Sequence, residues 1–518
     1  MAVCSRMQAW TWPIIFFGLA PWLLALDTVR TLRGAAASAL VLCVVFVAAI
    51  FAWFGFSIAV YSAGNAAAGL TALLVCAPLL QPQFLPFALA RHLAGRWHGR
   101  VLQAVAGACG YVAAEWLFPK LLGDTLAHGL YPSAVLRQTA DLGGTAGVTL
   151  ALVVVNECVA AAIAGQTRGR RAMLAPLAIG AGIVVAMSVY GAARLSSLSS
   201  QTMQEKPVRV GMIQSNIAGY ERLGREMGKY EAVQYVLDTH YTMSQQAIDS
   251  GRLDALLWSE TVYPTTFGRP KSEGGAELDV ELARFVTRAG LPLVFGTYDS
   301  DEGGEYNAAV FLEPALPGAA PRFDLYRKIH LFLFTEYMPS WLEWPTIRQW
   351  LPWAGTWKPG SVVRVLPLRL ADGREIPVLP MICLDDVVTE MGIQGARLGA
   401  RLIFTMSNDS WFTEHPDGAR LHLAVAAFRT IETRLPQLRV TANGISAVFD
   451  RTGAITAGAG MGERTWIVGE ASTSAPPATL LVAWGNWPGP VSLVALLLLL
   501  GVPYLTRRPR VADPGRAR

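Results

Sequence analysis

Long apolar runs, separated by short polar loops, dominate the first 195 residues of the chain. Six runs have the length of a membrane span, at about 9–26, 34–55, 57–81, 101–119, 143–165 and 172–192, and another lies at 488–506. A stretch of about 18 or more apolar residues with few charges is typical of a helix that crosses a bilayer. The pattern therefore predicts a membrane domain of about six helices at 1–195 and a C-terminal transmembrane helix at 488–506.

The intervening region, 205–485, has ordinary polarity and mixed periodicity. Short apolar or alternating runs predict strands at 208–214, 253–260, 291–298, 306–312 and 401–408. Helical periodicity predicts helices at about 225–249, 275–290 and 418–433. Strands that alternate with helices indicate an α/β domain whose sheets are covered by helices. In such domains the ends of the strands are the natural place for a functional site.

Composition and charge add an orientation. Hydrophobic residues make up 53% of the chain and charged residues only 16%, which is unlike an ordinary soluble protein. Arginines cluster in the loops at 91–100 and 168–171 and in the tail at 507–518. Basic short loops mark the cytoplasmic side, so the 205–485 domain is expected outside. The same count places Met1 outside, or requires one more membrane element within 57–90.

The net charge of +5 needs no nucleic acid to explain it, because the surplus lies in those loops and the tail. No basic patch with interleaved aromatic residues occurs in the sequence. The tail at 507–518 is expected to be a basic cytoplasmic segment.

Cys383 is the strongest candidate for chemistry. The chain has six cysteines, and five of them lie in the apolar N-terminal third. Cys383 stands alone at the end of the apolar run 376–382 and is followed by Asp385 and Asp386. A lone cysteine beside ionisable groups at a strand end is a candidate nucleophile. The alternative is that Cys383 is a small buried hydrophobic residue.

Two other segments carry candidate groups. Glu260 ends an apolar strand just before a turn at Tyr263-Pro264. Lys328 lies in the segment 326–339, where charged residues bracket an apolar core, and lysine is scarce in this arginine-rich chain. A lysine in that setting is a candidate catalytic cation, although a surface lysine whose stem covers apolar residues is the alternative.

Other conspicuous residues admit structural interpretations. The segment that follows Lys328 is crowded with Trp341, Trp344, Trp350, Trp353 and Trp357. Dense tryptophans in a loop favour an element at the membrane interface, with core packing as the alternative.

Some charged residues in apolar surroundings also admit a structural role. Glu115 and Glu157, within or at the ends of apolar runs, could line a transport path, but two isolated acids are weak evidence. Arg429, Glu432 and Arg434 are spaced as a structural ion-pair set.

The order of these motifs resembles the nitrilase superfamily. Trp-Ser-Glu at 258–260, Tyr-Arg-Lys at 326–328 and Ile-Cys-Leu-Asp at 382–385 follow the order of its Glu-Lys-Cys segments. Ser-Asn-Asp-Ser-Trp-Phe at 407–412 and Thr-Ala-Asn-Gly-Ile-Ser-Ala-Val at 441–448 are similar to the apolipoprotein N-acyltransferases of the bacterial envelope. The apolar part shares the likeness through Glu-Trp-Leu-Phe-Pro at 115–119.

The sequence departs from that family at two places. Leu384 and Asp385 stand where the family has an aromatic residue and then Glu. Leu333 to Glu336 stands where it has Pro-Phe-Gly-Glu.

The resemblance implies an α/β nitrilase-like sandwich, two sheets covered by helices, inserted in a polytopic α-helical membrane domain. It implies Glu260 as general base, Lys328 as the cation and Cys383 as the nucleophile, with Glu336 and Asp385 in support. The residues that it implies for an apolar substrate pocket or lid are Phe332, Phe334, Trp341, Trp344 and Trp411.

The implied reaction moves a fatty acyl chain from a phospholipid, phosphatidylethanolamine, through a Cys383 thioester to the α-amine of a diacylglyceryl-cysteine lipoprotein. The resemblance implies no cofactor and no metal, a monomer, and a place in the bacterial cytoplasmic (inner) membrane with the catalytic domain facing the periplasm. Two alternatives remain at this point: a membrane-tethered amidase that acts on a small amide, and a non-catalytic membrane paralogue.

Overall fold

The computed structural model describes residues 10–61, 64–200, 205–217, 219–316, 319–412 and 415–506. The predicted basic tail at 507–518 lies outside the described residues. Every regular element among the described residues up to 200 is a helix. The helices of this N-terminal part are α1 (Ala20–Asp27), α2 (Leu32–Ile50), α3 (Ala52–Tyr61), α4 (Ala66–Val75), α5 (Phe84–Ala94), α6 (Arg100–Leu117), α7 (Ala140–Gly165) and α8 (Arg170–Ser199). Short helical turns lie at Trp12–Phe16, Ala77–Leu80, Leu126–Leu130, Leu136–Thr139 and Gln166–Arg168.

Among the described residues, three helical stretches are long and apolar enough to cross a membrane: Leu32–Ile50, Leu136–Arg168 and Arg170–Ser199. The apolar run at 57–81 is not one helix. The side chain of Asn65 accepts a hydrogen bond from the backbone of Ala68 and so caps the start of α4. One apolar run is thereby divided between α3, α4 and a short turn, which hydrophobicity alone cannot reveal.

Helix α7 is bent near its start. Gly143 and Gly144 leave the helical conformation, and Gly144 has a φ of 63°, in the left-handed region that glycine adopts easily. The bend frees the backbone N–H of Thr145, which donates to Glu432 Oε1 at 3.0 Å. A residue of the second part of the chain therefore accepts the hydrogen bond that the bent membrane helix cannot make within itself.

The second part contains two six-stranded sheets. Their strands are β1 (Val208–Gln214), β2 (Ala255–Trp258), β3 (Leu293–Asp301), β4 (Gly304–Leu312), β5 (Phe323–Arg327), β6 (Leu366–Arg369), β7 (Glu375–Ile382), β8 (Leu402–Ser407), β9 (Gln437–Thr441), β10 (Ser446–Phe449), β11 (Ile455–Ala459) and β12 (Thr465–Ala471). One sheet has the order β12-β1-β2-β3-β4-β5, and the other has the order β11-β10-β9-β8-β7-β6. The sequence did not predict β12, which pairs antiparallel with β1.

Helices connect and cover the strands. They are α9 (Tyr220–Met227), α10 (Lys229–Asp249), α11 (Glu273–Ala289), α12 (Pro345–Trp350), α13 (Thr389–Arg397), α14 (Pro416–Thr433), α15 (Leu480–Trp484) and α16 (Pro488–Thr506). Turns of 3-10 helix lie at Ser340–Leu342, Cys383–Val387 and Asp409–Phe412.

Strand direction brings the candidate segments to one edge. Strands β1, β2 and β3 are parallel neighbours, as are β7, β8 and β9. Strand β5 runs in the same direction as β3, because both are antiparallel to β4. The segments that follow β2, β5, β7 and β8 therefore leave the sheets at corresponding ends.

The core runs without a break from one part of the chain into the other. One apolar cluster fills the space between the two sheets, with Leu257, Phe311, Met381 and Phe404 among its buried members. Another joins buried residues of the N-terminal helices to Phe332, Leu384 and Phe412 and to helix α14. Helix α14 is buried on all sides from 421 to 433, because it lies between a sheet and the membrane part.

Candidate active site

Cys383 lies at a strained turn at the end of β7. Its φ of 48° is in the left-handed region, which a residue with a Cβ rarely adopts, and strain of this kind occurs most often at functional sites. Asp385 holds the turn: its Oδ2 accepts hydrogen bonds from Ile382 N at 3.1 Å and from the Tyr326 hydroxyl at 2.8 Å. Its Oδ1 accepts from His330 N at 2.8 Å. Asp385 thus fixes the Cys383 turn against the segment that carries Lys328.

Lys328 is a buried ammonium between two carboxylates. It directly follows β5, and its Nζ lies 3.1 Å from Glu260 Oε1 and 2.7 Å from Glu336 Oε1. Glu336 is fixed in turn, because its Oε2 accepts a hydrogen bond from Phe332 N at 2.7 Å. The structure therefore brings together Glu260, Lys328 and Glu336 from segments that are distant in sequence.

Two asparagines, which the sequence analysis did not identify, complete this arrangement. Asn307 on β4 donates from Nδ2 to Glu260 Oε1 at 2.7 Å and to Glu336 Oε1 at 3.2 Å. The backbone N–H of Asn408, after β8, donates to Glu260 Oε2 at 2.7 Å. Asn408 was within reach of sequence reasoning, since it ends a predicted strand. Asn307 was not, because its position depends on strand pairing.

Burial and charge set the protonation of these groups. Burial raises the pKa of the Glu260 carboxyl. The positive charge of Lys328 acts to lower this pKa, and the negative charge of Glu336 acts to raise it further. Burial acts to lower the pKa of Lys328, but the two carboxylates outweigh it and raise that pKa well above its usual value. Burial also raises the pKa of the Cys383 thiol well above its usual value, against the attraction of Lys328 for the thiolate. At neutral pH the resting site therefore holds a charged lysine and a protonated thiol.

Cys383 opens into an apolar cleft at the boundary between the two parts of the chain, which we call the Cys383 cleft. The membrane part contributes Trp53 and Leu122 to its lining. The second part contributes Phe332, Leu384, Val387, Asn408, Asp409, Phe412, Gly418, Leu421 and His422. Rings pack across the boundary: Trp53 lies 5.3 Å from Phe412, and Phe54 lies 6.3 Å from Phe332, between ring centroids.

The structure places only some of the residues predicted for the apolar substrate pocket at the Cys383 cleft. Phe332 lines the Cys383 cleft, whereas Phe334, Trp341 and Trp344 are not among the described residues that line it. Trp341 and Trp344 are 73% and 66% exposed, so core packing is wrong as an account of these two side chains. The side chain of Trp411 lies outside the described part of the structure. The backbone at 411 belongs to the turn Asp409–Phe412.

A buried charged cluster, also missed from the sequence, lies behind the cleft. His422 Nε2 is 3.0 Å from Asp386 Oδ1, and its Nδ1 is 3.3 Å from Asp409 Oδ1. Arg439 Nη2 lies 3.2 Å from Asp409 Oδ2. Burial acts to lower the pKa of His422, but Asp386 and Asp409 together outweigh it and the pKa rises to about 9. Because His422 and Asp409 line the cleft as well, this cluster supports one of its walls.

The expected ion-pair set on α14 is partly wrong. Arg429 and Glu432 do pair, at 2.9 Å. Arg434 instead turns away, with a φ of 60°, and pairs with Asp141 of the membrane part at 2.7 Å. Position 434 follows the end of the helix, so helical spacing no longer relates it to Arg429.

The two acids in apolar runs are also paired. Glu157 lies 2.6 Å from Arg91, and Glu115 lies 2.6 Å from Lys120. These salt bridges give both carboxylates a structural role, so no transport path is needed to explain their presence in apolar runs.

Comparison with known proteins follows the same division of the chain. Residues 1–158 match the family model of the apolipoprotein N-acyltransferase N-terminal domain, and residues 209–474 match that of carbon-nitrogen hydrolases. A Bradyrhizobium diazoefficiens protein named apolipoprotein N-acyltransferase is 30% identical over 431 residues, 80% of this chain and 75% of the relative. The chain belongs to the apolipoprotein N-acyltransferase family. A family member from Rhodopseudomonas palustris is 29% identical and covers 96% of this chain and 92% of its own length.

The solved structures that the chain resembles include Saccharomyces cerevisiae Nit3, which is described as a member of branch 10 of the nitrilase superfamily. Nit3 is 17% identical with a TM-score of 0.37, over 56% of this chain and 97% of Nit3. The carbon-nitrogen hydrolase match and the two helix-covered sheets confirm the predicted nitrilase-like sandwich. Membership of the apolipoprotein N-acyltransferase family makes the chain an acyltransferase associated with the membrane.

Proposed function

We propose that the chain transfers a fatty acyl chain from a phospholipid, through a thioester on Cys383, to the N-terminal amine of a diacylglyceryl-cysteine lipoprotein. The observation that carries the proposal is the position of Cys383. It lies at a strained turn, electrostatically coupled to Lys328, and lines an apolar cleft shared with the membrane part. Such a cleft suits an acyl chain that reaches Cys383 from a bilayer.

In the first half-reaction, Glu260 takes the proton of the Cys383 thiol, and the thiolate attacks the ester carbonyl of the phospholipid. The ammonium of Lys328 stabilises the oxyanion that forms on the carbonyl oxygen. When the carbon–oxygen ester bond breaks, Glu260 returns its proton to the leaving glycerol oxygen. A lysophospholipid departs, and the acyl chain stays on sulfur.

In the second half-reaction, the neutral α-amine of the lipoprotein attacks the thioester carbonyl. Glu260 takes a proton from the amine, the carbon–sulfur bond breaks, and the proton returns to the thiolate of Cys383. Glu336 positions Lys328 through the 2.7 Å contact between them. The apolar lining of the cleft excludes water, which protects the thioester from hydrolysis while the acceptor binds.

The proposal includes the setting of the reaction. Phosphatidylethanolamine is the expected donor, and a monomer provides every proposed catalytic residue. The catalytic part faces the periplasm, because the arginine-rich loops at 91–100 and 168–171 mark the cytoplasmic face of the cytoplasmic (inner) membrane. A small-amide amidase would have no use for a cleft wall supplied by Trp53 of the membrane part.

The test is the intact mass of the detergent-purified chain after exposure to a phospholipid of defined acyl composition. We expect an adduct of the acyl mass that hydroxylamine removes and that the Cys383→Ala variant lacks. The Cys109→Ala variant, which removes a buried cysteine elsewhere, is the matched control and should retain the adduct. Absence of the adduct from folded wild-type protein would refute the thioester.

A further inference from the structure

A second cleft lies where the membrane helices meet the catalytic part, and we call it the junction cleft. Its lining includes Glu115, Trp116, Lys120, His330, Glu390 and Asn486. Trp116, near the end of α6, packs closely on Gly489 at the start of α16. The next residues, Leu117 and Phe118, are 47% and 58% exposed. The junction cleft therefore lies at the level where membrane helices end, within reach of the polar ends of lipids.

The charges of the junction cleft are unbalanced in favour of a cation. Lys120 Nζ is shared between Glu115 Oε1 at 2.6 Å and Asp124 Oδ2 at 3.4 Å. Glu390, a second carboxylate in the lining, accepts a hydrogen bond from Asn486 Nδ2 at 2.9 Å. The lining thus contains two carboxylates, Glu115 and Glu390, and one ammonium, Lys120, so a cation that enters the cleft meets net negative charge.

Glu115 is the residue that points to a ligand. Its side chain is only 7% exposed, and its Oε2 has no hydrogen-bond partner among the described residues. A buried carboxylate oxygen without a donor is costly, so such an oxygen usually has a partner. Trp116 lies in the same lining, and an indole ring attracts organic cations.

We propose that the junction cleft binds the primary ammonium group of a membrane amphiphile, with Glu115 as its principal partner. This inference rests on the proposed function, because both of its proposed substrates carry a primary amine: the headgroup of the donor and the α-amine of the acceptor. Val387 lines both the junction cleft and the Cys383 cleft. A molecule held by its ammonium group at Glu115 is thereby placed beside the reaction site.

The experiment is native mass spectrometry of the full chain carrying Cys383→Ala, so that binding is measured without transfer. One pair of probes is phosphatidylethanolamine and phosphatidylglycerol with identical acyl chains. The other pair is a diacylated lipopeptide with a free or an acetylated α-amine. The parent is compared with Glu115→Gln, with Glu390→Gln and with the control Glu343→Gln, an acid outside the cleft that is 48% exposed.

We expect the parent to prefer the amine-bearing member of at least one pair. Glu115→Gln should reduce that preference about tenfold, the size of one charge-assisted hydrogen bond. If the variant loses its preference within the phospholipid pair, the ligand is the donor headgroup. If it loses its preference within the lipopeptide pair, the ligand is the acceptor. Glu390→Gln, on the outer side of the cleft, should reduce the same preference about threefold and decides the matter if Glu115→Gln does not fold.

An unchanged preference in both cleft variants, equal to that of Glu343→Gln, would overturn the inference. So would a parent that binds both members of each pair equally. Neither result depends on thioester formation, which the intact-mass experiment on Cys383 tests separately.

Discussion

Asn307 is the residue whose replacement tests the electrostatic design of the site most sharply. Its Nδ2 donates to Glu260 at 2.7 Å and to Glu336 at 3.2 Å, whereas its Oδ1 has no partner among the described residues. Asn307→Leu keeps the size of the side chain and removes both donated hydrogen bonds. It also removes an unsatisfied buried oxygen, which offsets part of the stability that is lost with the two hydrogen bonds.

The magnitude follows from the contact that is lost. A hydrogen bond to a charged group contributes about 1.5–3 kcal/mol, and about 1.4 kcal/mol corresponds to one pKa unit. Without the Asn307 donor the ionised form of Glu260 is less stable, so the pKa of Glu260 rises by about one to two units above its already raised value. Glu260 accepts a proton only when ionised. The acidic limb of the pH–rate profile should therefore move to higher pH by the same amount.

The assay is the rate of acyl-enzyme formation, measured by intact mass between about pH 4.5 and pH 8.5 in mixed micelles of detergent and phospholipid. Gln234→Leu, which removes an exposed amide on α10, is the matched control and should leave the profile unchanged. An acidic limb at the same pH in Asn307→Leu and wild type, with equal melting temperatures, would refute the role assigned to Asn307.

Three further predictions concern the surroundings of the site. Asp385→Ala removes an acceptor of four hydrogen bonds and should lower the free energy of unfolding by about 3 kcal/mol or more, seen as a lower melting temperature than in Asp385→Glu. His422 has a folded pKa of about 9, so its protonation stabilises the fold below about pH 6.5, and this contribution is lost as the pH rises through 9. The melting temperature of wild type should fall over that range, while His422→Gln should start lower and lose this slope. Trp53→Ala opens the wall of the Cys383 cleft and should shift the acyl-chain preference of thioester formation towards bulkier chains; an unchanged chain-length profile would contradict the position of the acyl chain.

Sequence reasoning located the candidate residues that come shortly after a strand. Glu260, Cys383 and Lys328 each follow an apolar or alternating run, and such runs can be read from hydrophobicity. Asn307 lies within β4, where one polar residue in an apolar run carries no signal. Its role arises because β4 pairs with β5 and places it beside Lys328.

The ends of helices and the contacts between distant residues were harder to predict from the sequence. The apolar run at 57–81 contains no proline before Pro78 and no charge, so nothing in its hydrophobicity marks the break before the Asn65 cap. The pairing of Arg434 with Asp141 joins residues almost 300 positions apart. Nothing in local spacing encodes a contact of that kind.

The junction between the two parts is what distinguishes this chain from a catalytic domain that is only anchored to a membrane. Helix α14 reaches across it with Glu432, which satisfies the N–H freed by the bend in α7, and the next turn adds the Arg434–Asp141 pair. Removal of Asp141 would leave the buried guanidinium of Arg434 without the carboxylate that pairs with it, which is strongly destabilising. The same junction supplies Trp53 and Leu122 to the Cys383 cleft. Part of the wall of the Cys383 cleft therefore belongs to the membrane part, and the shape of this cleft depends on how the two parts are held together.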